Sequence, residues 1–317
     1  MKVIDHIKNA KDETLFSFEI LPPLKGTNIQ AIYDGIDPLM EFNPKFINVT
    51  YHREEYIYKT RDNGLLEKVS IRKRPGTVGI CAALINKYKV DAVPHLICGG
   101  FSKEETENAL IDLHFLGIDN VLALRGDAIK TEANFRPHPE GHQYARQVVE
   151  QVVAMNKGQY LMDDVSLDPT NFCIGVAGYP EKHFEAMNPS IDMQHLKEKV
   201  DAGADYIVTQ MFFDNKKYFS FVEKCRAAGI NVPIIPGIKP IQNLNHITFL
   251  PKFFNIDFPD DFANALTKCK TNADVHSLGV EWGIQQAKEL KEAGVPCIHF
   301  YTMSKSESVK AIAKSVF

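Results

Sequence analysis

The sequence predicts an α/β fold, a single (β/α)8 TIM barrel over residues 1–317 with extra loops and helices. Three observations carry that expectation. Short apolar, β-branched runs alternate with longer segments of helical spacing along the whole chain, as in parallel strands joined by crossover helices. Eight such runs can be counted, the number a closed barrel requires. The length suits a barrel core of about 250 residues with insertions.

Residues 15–21 and 46–50 read as the first two strands, each rich in aromatic and β-branched residues. The segment 54–75 is charged and aromatic without clear periodicity, and reads as a loop or insertion. Strand three covers 93–97. Beyond it, Ser102-Lys103-Glu104-Glu105 has the capping-box spacing and opens a helix that Gly117 ends. Strand four covers 120–124. The stretch 156–169, with Gly158, the adjacent Asp163 and Asp164, and Pro169, reads as a second loop. Strands five and six cover 171–177 and 206–211, and a helix over 216–228 ends at Gly229. Residues 232–236 and 297–301 complete the eight.

Composition narrows the function classes. With 44% hydrophobic and 24% charged residues the chain can bury a large core. The net charge of −4 and the short, isolated Arg72-Lys73-Arg74 run give no basic stripe, so no nucleic-acid partner is expected. No run of about 18 apolar residues occurs and charges begin at Lys2, so neither membrane spanning nor secretion is expected. The six cysteines are scattered without a C-x-x-C pair, and read as buried free thiols of a cytoplasmic protein. Rossmann, P-loop, zincin and serine-hydrolase motifs are all missing.

In such a barrel the chemistry sits at the C-terminal ends of the strands, and here those ends are polar. The first ends in Phe18-Glu19-Ile20-Leu21-Pro22-Pro23, with one carboxylate inside an apolar run. Burial would raise its pKa to the range a general acid needs near neutral pH, or Glu19 could be half of a structural ion pair. The second ends in Asn48-Val49-Thr50-Tyr51 and the third in Pro94-His95-Leu96, where His95 is open to both a core and a ligand role. In Leu124-Arg125-Gly126-Asp127 the glycine permits close backbone approach, while Arg125 donates and Asp127 accepts; an ordinary turn with a surface ion pair is the alternative. The fifth strand leads into Gly178-Tyr179-Pro180-Glu181-Lys182-His183, and the sixth ends in Thr209-Gln210-Met211-Phe212-Phe213-Asp214. Gln210 offers donor and acceptor to a heterocycle edge, whereas Phe212 and Phe213 read as core. Pro236-Gly237-Ile238-Lys239-Pro240 is a rigid turn shaping one pocket wall. These residues alone describe a barrel enzyme with a polar mouth, and Glu19, His95, Asp127 and His183 leave a metal-dependent hydrolase or lyase open.

Taken in order, these strand ends resemble the methylenetetrahydrofolate reductases. The resemblance rests on Phe16-Ser17-Phe18-Glu19 with Pro22-Pro23, on Asn48-Val49-Thr50-Tyr51, on Ala92-Val93-Pro94-His95-Leu96 and on Ala123-Leu124-Arg125-Gly126-Asp127. It continues through Tyr179-Pro180-Glu181 with His183, the run from Lys199 to Asp205, Thr209-Gln210 with Phe212-Phe213-Asp214, Ile235-Pro236-Gly237-Ile238 and His299-Phe300-Tyr301-Thr302. The resemblance implies a flavoprotein oxidoreductase of one-carbon metabolism and methionine biosynthesis. Bound FAD would take a hydride from NAD(P)H, here NADH, and pass it by a ping-pong route to 5,10-methylenetetrahydrofolate, giving 5-methyltetrahydrofolate. Glu19 resembles the general acid at the folate N10, and Asp127 the aspartate beside the flavin. Thr50, Tyr51, His95, Arg125, Gly126, Asp127, Tyr144, Ala145, Tyr179, His183, Ala186, Asp192 and Lys199 match positions around the cofactor. Gln210 matches the residue that holds the pterin.

Two further positions depart from the bacterial pattern. Leu250 stands where an aromatic ring often stacks in the shared nicotinamide and folate site, which keeps an alternative electron donor, another redox protein, open. Lys305 stands where an arginine commonly meets the folate tail, keeping charge without bidentate geometry. His52 and Arg53 replace small residues. The end at Phe317 leads to the expectation that no carboxy-terminal regulatory domain is present, and a homo-oligomer is compatible with the family.

Overall fold

The computed structural model describes residues 1–317 apart from 130, 131, 133, 163–166 and 304, so the Asp163-Asp164 pair lies outside the described residues. Its strands are β1 (Leu15–Ile20), β2 (Phe46–Val49), β3 (Glu55–Thr60), β4 (Leu66–Ile71), β5 (Asp91–Ile97), β6 (Asn120–Leu124), β7 (Cys173–Gly178), β8 (Tyr206–Thr209), β9 (Ile234–Ile235), β10 (Gly237–Ile238) and β11 (Cys297–Tyr301). Nine of them form one parallel sheet in the order β10, β11, β1, β2, β5, β6, β7, β8, β9. The two ends of that order, β9 and β10, are halves of one segment broken only at Pro236. The sheet therefore closes on itself as a barrel of eight β/α units.

Closure explains why the strands read as almost continuous apolar runs. Phe16, Phe18 and Ile20 of β1 face outward into the core shared with the helices, while Leu15 faces inward with Phe46, Val93, Leu122, Tyr206 and Cys297. A strand buried on both faces needs no polar alternation. The inward cluster forms the floor of the barrel, and the helix Val3–Ala10 seals it from below, with the Val3 N–H donating to Asn120 Oδ1 at 2.8 Å.

The expected helix after Ser102 is Lys103–Phe115, with Ser102 Oγ accepting from Glu105 N at 3.0 Å and Glu105 accepting from Ser102 N at 2.8 Å. The helix of the sixth unit, Asn215–Ala227, begins one residue before the sequence estimate, behind the capping Asp214. The cysteines are free, and all but Cys269 are buried.

Two features differ from the sequence expectation. The segment 54–75, read as a loop or insertion, is an insertion outside the barrel sheet but an ordered one, an antiparallel hairpin of β3 against β4 rooted at the mouth by Lys25 N donating to Lys73 O at 2.9 Å. Its strands are held by pairs such as Lys68 over the Tyr56 ring at 3.8 Å and Arg61 with Glu67, and little of it is buried. Strands stabilised by cross-strand polar pairs carry no apolar alternation to read. The seventh strand is also shorter than 232–236 and is split, because Pro236 has no N–H for the ladder.

The split is bridged by Gly237, whose N–H donates to Thr209 Oγ1 at 2.9 Å. A Cβ at Gly237 would stand 2.4 Å from Thr209 O and 2.5 Å from the Tyr301 ring. Gly237→Ala is therefore expected to lower stability by about 1–3 kcal/mol in urea unfolding, the usual range for overpacking. Parental stability would mean that closure does not depend on this approach.

Candidate functional site

The side chains at the C-terminal ends of the strands form an inner and an outer group. The inner one lies within the barrel. Register places Glu19 opposite Asn48 and Tyr301, and since Phe18 and Ile20 face outward, Glu19 turns inward. It is 8% exposed, with a carboxylate oxygen 3.9 Å from His95 Nε2. Burial raises its carboxyl to about 7, against the pull of the Lys239 ammonium. Burial also pushes His95 down to about 3, so at neutral pH the imidazole is uncharged and its contact with Glu19 is not an ion pair.

Beside them Asn48 Nδ2 lies 3.3 Å from His95 Nε2, and Ser17 Oγ lies 2.9 Å from His299 Nδ1. Asn48 Oδ1 and His299 Nε2 are buried and find no hydrogen-bond partner among the described residues. Tyr301 donates from its hydroxyl to Thr209 O at 2.5 Å, spanning from β11 to β8. Lys239, 6% exposed and lowered to about 8 by desolvation, is the basic residue that the ion-pair alternative for Glu19 requires. Desolvation nevertheless outweighs its attraction, and Glu19 keeps a raised carboxyl.

The outer group rims β6 and β7. Gly126 has φ +86°, and a Cβ there would also meet Ile97 at 3.3 Å, so the turn between Arg125 and Asp127 needs glycine. Arg125 pairs with Glu185 and lies 4.7 Å from the centre of the Phe135 ring. Asp127 stands exposed at the lip, where surrounding protein still removes enough water to raise its carboxyl against the pull of Arg125. Tyr179 meets His183 edge-on at 4.7 Å, and His183 stacks on Phe184 at 4.8 Å. The helix Pro189–Asp201 brings in Asp192, which accepts from His183 N at 2.9 Å, and Lys199, whose Nζ donates to Ala177 O at 2.6 Å. Desolvation lowers Lys199 to about 8. Ala186 N donates to His183 O at 3.0 Å, which closes the turn.

This donor set fits a dinucleotide such as FAD. Arg125 and Lys199 supply cations suited to a diphosphate, and the Tyr179, His183 and Phe184 rings supply faces for flat heterocycles. Tyr51 packs its ring 4.6 Å from Phe101, and Thr50 Oγ1 lies 3.3 Å from His52 Nε2. Gln210 is anchored by its N–H donating to Gly178 O at 2.8 Å, next to the Tyr179 turn.

The remaining expected residues are Tyr144, Ala145, Leu250 and Lys305. Tyr144, 58% exposed, precedes the helix Ala145–Met155, with Ala145 its first residue. Leu250 is 1% exposed in a satellite core with Phe213, Ile241 and Phe262, which leaves it no surface for contact with a substrate ring. Leu250 belongs to the helix Leu244–Phe254, whose first turn exposes Leu244 and Asn245. Lys305 is exposed and acts on the site through its charge, felt at Lys239 and His246. Ser17, Asn48, Lys239, His299 and Tyr301 are the inner residues to which sequence reasoning gave no role. The available signal was strand alternation: after outward Ile238 and Phe300, the next residues must turn inward.

A family model described as methylenetetrahydrofolate reductase matches residues 2–316. Methylenetetrahydrofolate reductase 1 of Schizosaccharomyces pombe is 34% identical over 316 residues, 98% of this chain and 48% of that protein. The 5,10-methylenetetrahydrofolate reductase of Escherichia coli is 30% identical over 301 residues, 95% of this chain and 90% of that protein. The chain thus spans about half the length of the first of these relatives and most of the second. Among solved structures, a Clostridium thermocellum protein that binds two copies of 5-methyl-5,6,7,8-tetrahydrofolic acid superposes with a TM-score of 0.57 at 14% identity, over 99% of this chain and 98% of that one. That likeness is one of fold. No helix among the described residues is long and apolar enough to cross a membrane.

The raised Glu19 carboxyl has a consequence for stability. Its folded value near 7 exceeds the ordinary 4.5, so the folded state holds the proton more tightly. The resulting stabilisation is complete below pH 4.5 and is lost as the pH rises through 7. Glu19→Gln has no such dependence, so between pH 4 and pH 8 it is expected to gain roughly 3 kcal/mol relative to the parent in urea unfolding, from ~1.4 kcal/mol per pKa unit. A pH-independent difference would contradict the burial effect.

Proposed function

Because the chain belongs to the methylenetetrahydrofolate reductase family, we propose that it reduces 5,10-methylenetetrahydrofolate to 5-methyltetrahydrofolate with electrons from a reduced nicotinamide, NADH first, through bound FAD. The observation that carries this reading is Glu19, a buried carboxyl raised to about 7 in the middle of a polar mouth. An acid near the working pH is the group needed to open the folate's five-membered ring.

Glu19 gives its proton to the folate N10, and the ring opens to a cationic iminium at N5. Neutral His95 keeps the acid in place without competing for its charge. Asp127 at the lip stabilises the positive charge that develops on the folate. Gln210 presents its amide to the pterin edge. Arg125 and Lys199 hold the cofactor diphosphate, with Tyr179 and His183 against its rings. When bound, FAD supplies the two-electron carrier that donor and folate use in turn. The whole activity belongs to this one barrel domain, and its buried free thiols suit the reducing cytoplasm.

The test is an anaerobic absorbance spectrum of the FAD-loaded protein. NADH is expected to bleach the flavin band and methylenetetrahydrofolate to restore it, with NADPH run in parallel. Bound FAD that neither nucleotide bleaches would point to another redox protein as donor. Glu19→Gln is expected to keep flavin bleaching by NADH and slow reoxidation by the folate about 10²–10⁴-fold. Normal reoxidation in that variant would remove Glu19 from the acid role. Arg125→Ala is expected to weaken FAD binding about 10–100-fold, the loss of one charge-assisted contact, in a titration of apoprotein followed by flavin fluorescence.

A further inference from the structure

Lys239 is placed for a task that the reading above leaves unassigned. It follows β10 directly, and the register runs Gly237 to His299 to Ser17, then Ile238 to Phe300 to Phe18. Extended by one residue, the ladder sets Lys239 level with Tyr301 and Glu19, and the outward packing of Ile238, Phe300 and Phe18 turns all three inward. A lysine is strongly hydrated, and one left 6% exposed needs a compensating charge. The carboxylate that acts on it is Glu19, across Tyr301.

We propose that Lys239 is the positioning residue of the acid: its ammonium faces the Glu19 carboxyl inside the barrel and stabilises the carboxylate formed as the folate ring opens. This rests on the assignment of Glu19 as that acid. In the step, N10 takes the Glu19 proton and keeps the electron pair of its bond to the bridging carbon, while N5 donates its own pair to form the iminium. One positive charge appears on the folate and one negative charge on Glu19. An ammonium beside Glu19 stabilises the second charge as it develops, which is where electrostatic help accelerates a reaction.

The remaining groups around the pair carry little charge that could do this. His95 and Tyr301 face Glu19, and burial keeps the imidazole and the phenol neutral near pH 7. His246, which faces Lys239, is lowered to about 4 by burial and the two lysines. Lys305 is exposed, and its charge opposes protonation of Lys239. Removing the Lys239 charge therefore raises the pH at which Glu19 ionises, and restoring a cation lowers it again.

The experiment is an infrared difference titration of the Glu19 carboxyl in ligand-free protein, assigned by its loss in Glu19→Gln, alongside the pH profile of flavin reoxidation by the folate. In Lys239→Met the carboxyl midpoint and the alkaline limb of reoxidation are both expected to move up by about one pH unit or more, the effect of one nearby opposite charge. Lys239→Arg is expected to return both toward parental values. Lys239→Gln serves as a second neutral variant should the methionine protein fail to fold. An unmoved midpoint in a folded neutral variant, with Glu19→Gln inactive toward folate, would overturn the role of Lys239 alone. Normal folate reduction by Glu19→Gln would instead remove the acid assignment beneath it.

Discussion

Closure of the parallel sheet at Pro236 is the constraint on which the other features depend. Once β9 and β10 pair with β8 and β11, alternate residues of every barrel strand share one interior and the others face the helices. The interior is graded along its axis. Leu15, Phe46, Val93, Leu122 and Tyr206 fill the floor, with Val3 from the amino-terminal helix below them. Higher up, Ser17, Asn48, His95 and His299 make a buried polar layer, joined by Glu19, which lies opposite Asn48, and by Lys239.

That gradient gives the two carboxylates different characters. Glu19 lies deep enough for lost hydration to dominate its ionisation, whereas the histidines beside it respond to the same loss by staying neutral. Asp127 sits at the lip, exposed and next to Arg125. The two carboxyls thus differ in depth, one inside the barrel and one at its lip. The cost of burying the inner polar layer is borne by an extensive apolar core between strands and helices.

The rim on the β6 and β7 side has another physical basis. There the backbone leaves the barrel through a left-handed glycine, and the side chains are tied by the Arg125–Glu185 pair, ring contacts and a helix that delivers Asp192 and Lys199 together. Tyr301, whose hydroxyl donates to Thr209 O, is held well above the usual phenol range by burial and by Glu19.

By itself the sequence determined the fold class, the eight β/α units, the capped helix after Ser102 and the polar strand ends, Glu19, Arg125, Asp127 and Gln210 among them. Each depends on neighbours within one run: apolar content, a cap three residues away, a charge interrupting a strand. Only the tertiary structure decided that 54–75 pairs as a hairpin, that the seventh strand breaks at Pro236, that Leu250 is buried in a satellite core and that Lys239 shares the barrel interior with Glu19. Those outcomes depend on register and burial between segments far apart in the chain. Glu19 and Lys239 become neighbours because β1 and β10 flank β11, a proximity that exists once the ring of strands has closed.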